Sequence, residues 1–378
     1  MRVTQSMLAS NSLRHLSQSY ERLQTLNDQL SSGKKISRAS QDPVVAMNGM
    51  RYRTQVTETE QFKRNLSEVY NWMDTADSTL DQTTNALHRV RELTVQASND
   101  SYEATQRGNI AKEVAQLREH LESLANTKAN NKYIFNGTNT TNAPIDADKM
   151  DIELSQLTEM DPDALENYQI IFKGGTYEYD LDASNVAGEP VFQNTEDPDQ
   201  SIQINIDGGN IDSISHTDDG EITTLSQNQL VLSDKSAVST NGQNVEIELL
   251  KGTKIPININ PQSVFSNELF GDIKALEKML EDPSTTASEL SGMLDVVDKH
   301  INNSVNERAE LGARMNRVEM IDTRIQNQQV IAKRIMSDNE NADMELVITD
   351  LLSQENVHRA ALSATGRLIQ PSLMDFLR

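Results

Sequence analysis

The chain has no cysteine. Disulfides, thiolate chemistry and cysteine-based zinc sites are therefore excluded, whatever the compartment. Aromatic residues fill only 4% of the 378 positions, with a single tryptophan, so large aromatic-rich cores are not expected. No apolar run approaches the ~18 residues of a membrane-spanning helix. The opening Met1-Arg2-Val3-Thr4-Gln5 lacks the apolar stretch of a cleaved signal peptide. Those absences fit a cytoplasmic protein or one exported by another route. Positive charge is scarce in the middle: residues 136–270 hold 24 acidic residues against 5 lysines and no arginine, while the flanks hold 33 against 29 lysines and arginines. The centre is thus a separately composed, well-solvated acidic unit that repels nucleic acid. Solubility is the plain reading of that charge, and cation binding by its loops the sharper one.

What the chain does have is a narrow apolar seam at each end. Ala9, Leu13, Leu16, Tyr20, Leu23 and Leu30 follow alternating steps of three and four, broken only by Asn27. Met344, Ile348, Leu351, Leu362 and Ile369 follow the same steps, with Glu355, His358 and Thr365 in the polar slots. A helix with such a seam needs partner helices to bury it. The spacing predicts that the two ends pack side by side at one end of a long rod, with the middle of the chain projecting at the other.

Between the ends the period changes twice. Gly33 and the lysines after it stop the first helix, and Asp42-Pro43 can restart one. Phe62, Leu66, Val69, Met73, Ala76, Leu80, Thr83, Leu87, Val90, Thr94 and Ala97 step without a slip and predict a helix over about 56–98. Ser98-Asn99-Asp100-Ser101 breaks it, and Ile110, Val114, Leu117, Leu121 and Leu124 open a second arm of an antiparallel hairpin. Past Asn136-Gly137 the period is two. Ile202/Ile204/Ile206, Val245/Ile247/Leu249 and Ile255/Ile257/Ile259 predict half-buried strands, the last two joined by a turn at Lys251-Gly252-Thr253. Tyr177–Tyr179 and Val191-Phe192 are weaker strand signals, and a short helix is expected near 161–168. After Asn267 the helical period returns, punctuated by Asp282-Pro283-Ser284. The seam Leu290, Leu294, Val297, Ile301, Leu311, Met315, Val318 and Ile325 has Ser304, Arg308 and Asp322 as polar exceptions. The expected fold class is α+β: a rod of antiparallel, coiled-coil-like helices from both ends, with a β-rich insert. Its parts are terminal segments 1–38 and 337–378, a helical rod 39–139 and 269–336, and an acidic β-rich outer domain 140–268.

A search for chemistry yields no catalytic, cofactor-binding or metal site. The six histidines, at 15, 88, 120, 216, 300 and 358, form no His-Glu-x-x-His pair, and no phosphate-binding glycine loop is present. Asp180-Leu-Asp182-Ala-Ser184 opens like a calcium loop but has Asn185 where the turn glycine belongs. Asp146/Asp148 and Asp197/Asp199 could be paired carboxylates, though neighbouring acids are expected in so acidic a segment. His358 reads as a packing residue, Trp72 as a helix-packing residue beside Met73, and Lys34-Lys35 with Arg38 as a solvated helix end or an anion-facing patch. The expectation is not an enzyme.

Particular stretches carry a resemblance. Leu30-Ser31-Ser32-Gly33-Lys34-Lys35-Ile36 and the segment from Asn85 to Ala97 are similar to the N-terminal region of bacterial flagellins. Glu310-Leu311-Gly312-Ala313-Arg314 and Asn341-Ala342-Asp343-Met344 match on the C-terminal side. Ser40-Gln41-Asp42-Pro43-Val44, Tyr133-Ile134-Phe135-Asn136-Gly137-Thr138 and the ending Ser372-Leu373-Met374-Asp375-Phe376-Leu377 resemble the branch of that superfamily that joins hook to filament. Gln41 departs from that branch, and the insert matches no family motif. The resemblance implies an extracellular structural subunit of the flagellum. It would be exported through the flagellar type III channel with a chaperone. It would self-associate in a ring between the first hook-associated protein and flagellin, without nucleic acid or membrane insertion. The expected assembly residues are Leu13, Leu16, Tyr20, Leu23, Leu30, Met344, Ile348, Leu351, Leu362, Ile369, Leu373, Phe376 and Leu377. Filament flagellin is the alternative within the superfamily. A secreted, carboxylate-based glycan hydrolase, disfavoured by the few aromatics, and a cytoplasmic coiled-coil scaffold are the alternatives outside it.

Overall fold

A computed structural model describes residues 5–99, 103–158, 160, 162–181, 189–208 and 210–376, with the side chains of Gln5, Ser6, Leu8, Ala9, Pro162 and residues 367–376 left out. In chain order the elements are α1 (Gln5–Ser32), α2 (Pro43–Ala97), α3 (Ala104–Ala125), β1 (Lys128–Ala129), β2 (Lys132–Tyr133), α4 (Pro162–Leu165), β3 (Tyr168–Phe172), β4 (Gly175–Tyr179), β5 (Val191–Asn194), β6 (Ser201–Asp207), β7 (Asn210–Asp218), β8 (Glu221–Leu225), β9 (Val231–Asp234), β10 (Glu246–Leu250), β11 (Thr253–Pro256), α5 (Pro261–Val264), α6 (Asn267–Glu281), α7 (Ala287–Glu340) and α8 (Met344–Phe376). The class is α+β, as the two periods in the sequence predict. The chain forms two compact units, Met1–Lys63 with Asp322–Arg378, and Arg64–Ile321.

In the 64–321 unit the seam of α2 is buried as its spacing predicts. Leu66, Val69, Met73, Ala76, Leu80, Thr83, Leu87, Val90, Thr94 and Ala97 are all 3% exposed or less. The two threonines are tolerated because each hydroxyl donates back to its own helix, Thr83 Oγ1 to the Thr79 carbonyl and Thr94 Oγ1 to the Val90 carbonyl, both at 2.8 Å. Helix α7 packs along this part of α2. Ile301, Ser304, Leu311 and Val318 are buried, and Ser304 Oγ lies 3.0 Å from Thr84 Oγ1. Arg308 bridges Asp77 (2.8 Å) and Asp81 (2.5 Å), and Arg91 meets Asp298 (2.6 Å). The polar exceptions Ser304 and Arg308 are therefore inter-helix partners. Arg89 reaches across to Glu113 of α3, which closes the helical hairpin.

The β-rich part of this unit is a seven-stranded antiparallel sheet in the order β8-β7-β6-β5-β4-β3-β9, with β10 and β11 as a separate hairpin. Alternation along β6 buries Ile202 and Ile204 in a core with Ile170, Phe172, Phe192, Ile214 and Leu232. Leu154, Leu157 and Leu165 close that core. The opposite face of β3 lies under α6, where Gly271 is obligatory. A Cβ there would stand 2.4 Å from Ile171 Cδ1 and 2.8 Å from its Cβ. The α6–α7 contact includes a buried pair, His300 Nε2 and Asp272 Oδ2 at 2.8 Å, whose other carboxylate oxygen accepts the Gly174 amide at 3.0 Å.

Several expectations change. The helix that Asp42-Pro43 is expected to restart does begin at Pro43, where Asp42 Oδ1 accepts the amides of Val44 (2.9 Å) and Val45 (3.0 Å), but it runs unbroken to Ala97 and so takes in the helix expected over about 56–98. The helix expected near 161–168 is only Pro162–Leu165, and Tyr168–Phe172 is a strand. That segment is an apolar run covered on both faces, which period alone does not separate from a helix. The strand expected over Ile255–Ile259 ends at Pro256. The hairpin turn at Lys251-Gly252 is present, with Gly252 at φ 79°.

Candidate assembly surface

The unit made of residues 1–63 and 322–378 holds the two chain ends. Helix α1 ends at Gly33, whose φ of 68° gives the left-handed cap and whose amide returns to the Gln29 carbonyl at 2.8 Å. The loop after it docks on the junction between α7 and α8. The Lys35 amide donates to the Glu340 carbonyl (2.7 Å), and the Ala342 amide donates to the Gly33 carbonyl (2.9 Å). Asn339 Nδ2 donates to the Val45 carbonyl at 3.0 Å.

Glu340 is the electrostatic centre of this joint. Its side chain is 9% exposed and accepts from Lys34 Nζ (2.7 Å) and Arg53 Nε (2.5 Å). The Arg53 hydrogen bond, followed by that of Lys34, holds the Glu340 carboxyl below its ordinary value against the opposing effect of burial. Lys34 is thus the partner of a buried acid, which neither reading of the Lys34-Lys35 patch anticipated. Single-sequence inspection offers no signal for a pair 306 positions apart.

Helices α1 and α8 pack on each other. Ser19, 7% exposed, lies at the contact, with Gln354 Nε2 donating to its hydroxyl (3.0 Å) and His358 Nδ1 at 3.3 Å. Tyr20 tilts over the His358 ring, with centroids 6.3 Å apart. His358 is the satisfied packing residue that its seam position suggests. Leu16, Leu23, Leu30 and Leu351 are half-buried. Val347 and Thr365 are buried, so the covered face of α8 is turned slightly from the seam read in the sequence. Val347 carries the same three–four spacing on to Leu351, His358 and Thr365.

The other expected assembly residues are uncovered. Leu13, Tyr20, Ile348 and Leu362 are 53%, 62%, 45% and 48% exposed, and Met344 is 38% exposed. Leu346, Leu352 and Val357 add to the exposed apolar set on α8. Ile369, Leu373 and Phe376 lie in α8 with side chains outside the described residues, and Leu377 lies outside them altogether. Each terminal helix therefore covers one flank of its apolar surface intramolecularly and leaves the other open.

The chemistry-bearing candidates do not converge. Asp197 Oδ1 accepts the Asp199 amide at 3.2 Å, a turn contact, and Asp146 accepts through its carbonyl in another turn. Asp182, Ser184 and Asn185 lie outside the described residues. Among the described residues no group of three His, Asp or Glu is placed to hold a metal ion, and no helix is long and apolar enough to cross a membrane.

Comparison with known proteins follows the same division into ends and middle. Residues 3–140 match the bacterial flagellin N-terminal helical region, and residues 294–377 match the bacterial flagellin C-terminal helical region. The chain is 23% identical over 369 residues to flagellar hook-associated protein 3 of Escherichia coli strain K12, covering 96% of each chain. It is 24% identical over 332 residues to a flagellin of Clostridium tyrobutyricum, covering 84% of this chain and 86% of that one. A solved flagellar hook-associated protein from Vibrio parahaemolyticus shares the fold, with a TM-score of 0.51 at 14% identity over 80% of this chain and all of that one.

Proposed function

The chain belongs to the bacterial flagellin family, and on that premise we propose that it is the structural subunit that joins the flagellar hook to the filament. The observation that carries this reading is the match to flagellar hook-associated protein 3 across 96% of both chains. It runs through the β-rich insert as well as the helical ends. The protein is a structural, extracellular component of the flagellum and not an enzyme. It assembles with other flagellar components.

The finer reading names those components. Subunits self-associate in a ring, with the first hook-associated protein on the hook side and flagellin on the filament side. They reach that place through the flagellar type III channel, escorted by a chaperone. The open flanks of α1 and α8 supply the contact, through Leu13, Tyr20, Met344, Ile348 and Leu362 together with Ile369, Leu373, Phe376 and Leu377. Half-buried Leu16, Leu23, Leu30 and Leu351 support them from within the subunit. Exposed apolar side chains in such numbers on paired helices favour burial on assembly. Residues 1–38 and 337–378 are then the polymerising segments, 39–139 and 269–336 the helical rod, and 140–268 the outer domain.

The similarity to Clostridium flagellin favours filament flagellin as a second reading. Polymerisation of the purified chain separates the two. A junction subunit stops at short rings. Long filaments grown from this chain alone would establish the flagellin reading instead.

A further inference from the structure

The seven-stranded sheet treats its two edges differently. Edge β9 is covered, since the Ile152 amide donates to the Leu232 carbonyl at 2.9 Å. Edge β8 is bare, and Glu221, Ile222, Thr223 and Thr224 are all exposed. The two-residue turn Asp219-Gly220, with φ of 49° and 84°, makes Asp218 and Glu221 a hydrogen-bonded pair. Pairs alternate along an antiparallel ladder. His216 and Thr223 are therefore bonded as well, while Ile222 and Thr224 turn their amides and carbonyls away from β7. Those outward groups have no hydrogen-bond partner among the described residues. Bare edges are normally blunted by lysine, proline or a bulge. Strand β8 has no lysine and no proline, and its register with β7 runs from Asp218 to Ile214 without a shift.

The charge around this edge is of one sign. Between Lys173 and Lys235 the chain has thirteen acidic residues and no lysine or arginine. Asp218, Asp219 and Glu221, at the turn end of β8, have no ion-pair partner among the described residues. One face of β8 borders a cleft of about 730 Å³, whose walls carry Glu196, Asp197, Asp218, Glu221 and Glu289 against one lysine, Lys173. Alternation puts Thr223 and Leu225 on that face with Glu221, and Ile222, 71% exposed, on the other. A second copy of this strand would bring the same carboxylates against these, so the charge opposes self-pairing. It favours a cationic strand instead. We propose that the β8 edge docks an extended peptide segment of another protein that bears lysine or arginine at alternate positions. The segment adds as a further strand, bonded to the backbone of Ile222 and Thr224. Its cationic side chains lie over Glu221 and the cleft, and its intervening side chains lie beside Ile222. This docking goes beyond the structural role in the flagellum and does not depend on it.

The full chain is titrated with a heptapeptide of alternating lysine and valine, and read by NMR with hydrogen exchange. The controls are the same peptide with glutamate for lysine, and the lysine peptide with proline at its central valine. The lysine peptide should bind with a dissociation constant of about 0.1 mM. At about ten times that concentration it should slow exchange at the Ile222 and Thr224 amides about tenfold, and leave Thr223, already bonded to β7, unchanged. Thr224→Pro removes an outward donor without breaking the ladder to β7, and should weaken binding at least about tenfold with little change in melting temperature. Glu221→Lys, at an exposed site, should weaken it similarly and protects the test against misfolding of the first variant. Unchanged exchange at Ile222 and Thr224 under saturating lysine peptide overturns the proposal. So does equal binding of either control peptide, or binding that survives both substitutions. Protection of the same amides that rises with protein concentration alone would overturn it too, by assigning the edge to a second copy.

Discussion

Replacing Glu340 with Gln should loosen the joint between the chain ends without unfolding the helices around it. The side chain keeps its size, but Lys34 and Arg53 lose their shared anion. A hydrogen bond to a charged group contributes ~1.5–3 kcal/mol. The two cations are 44% and 58% exposed, so water takes over much of their solvation and the net loss falls to ~1–1.5 kcal/mol. Two amides report on it directly: Lys35, bonded to the Glu340 carbonyl, and Ala342, bonded to the Gly33 carbonyl. Their hydrogen exchange at neutral pH should accelerate about tenfold in the variant, while the amide of Leu87, deep in the other unit, should not change.

The same amides give a pH signature. The folded-state value of Glu340 lies below its ordinary 4.5, so the folded protein holds this proton less tightly than the unfolded chain. The joint's stabilisation is complete above about pH 4.5 and is lost as pH falls through the lower folded value. After correction for intrinsic exchange, wild-type protection at Lys35 and Ala342 should drop with acid over that interval, and Glu340→Gln should show no such step. Unchanged exchange in the variant, or an identical acid step, would refute the role given to this carboxylate.

Other expectations follow from burial and clearance. Leu87→Asp or Val90→Asp places a charge at a site no more than 1% exposed and should cost ~3 kcal/mol or more; an unchanged thermal melt would mean that the seam is not buried. Gly271→Ala drives a methyl into Ile171 and should cost ~1–3 kcal/mol, with Trp72, 3% exposed and the single tryptophan, as the fluorescence reporter of unfolding. Deleting residues 371–378 should leave monomer melting and secretion nearly intact while cells complete hooks, fail to hold filaments and shed flagellin. Normal filaments, or a much earlier melt, would remove the tail from the assembly contact.

Much of the helical architecture was legible because burial repeats along one element. The seam from Leu66 to Ala97 needs only its own spacing, and each position is buried. Strand β3 was not legible, since Tyr-Gln-Ile-Ile-Phe is covered by the apolar core on one face and α6 on the other, so no alternation survives. Strands β7 to β9 were missed for a related reason. Ile222 on the edge strand β8 is 71% exposed, whereas the short β9 is buried on both faces. The terminal seams were readable as interaction surfaces, but not which flank each helix covers. Met344 lies three positions before buried Val347 and Ile348 one position after it, and spacing does not choose between adjacent phases. The Glu340 joint depends on residues far apart in the chain, and only the fold brings them together.

The junction role itself is tested most directly by immunogold electron microscopy of intact flagella, with an antibody against residues 140–268. The account predicts label confined to a short band between the hook and the proximal end of the filament. Label along the whole filament, or none on flagella at all, would contradict it.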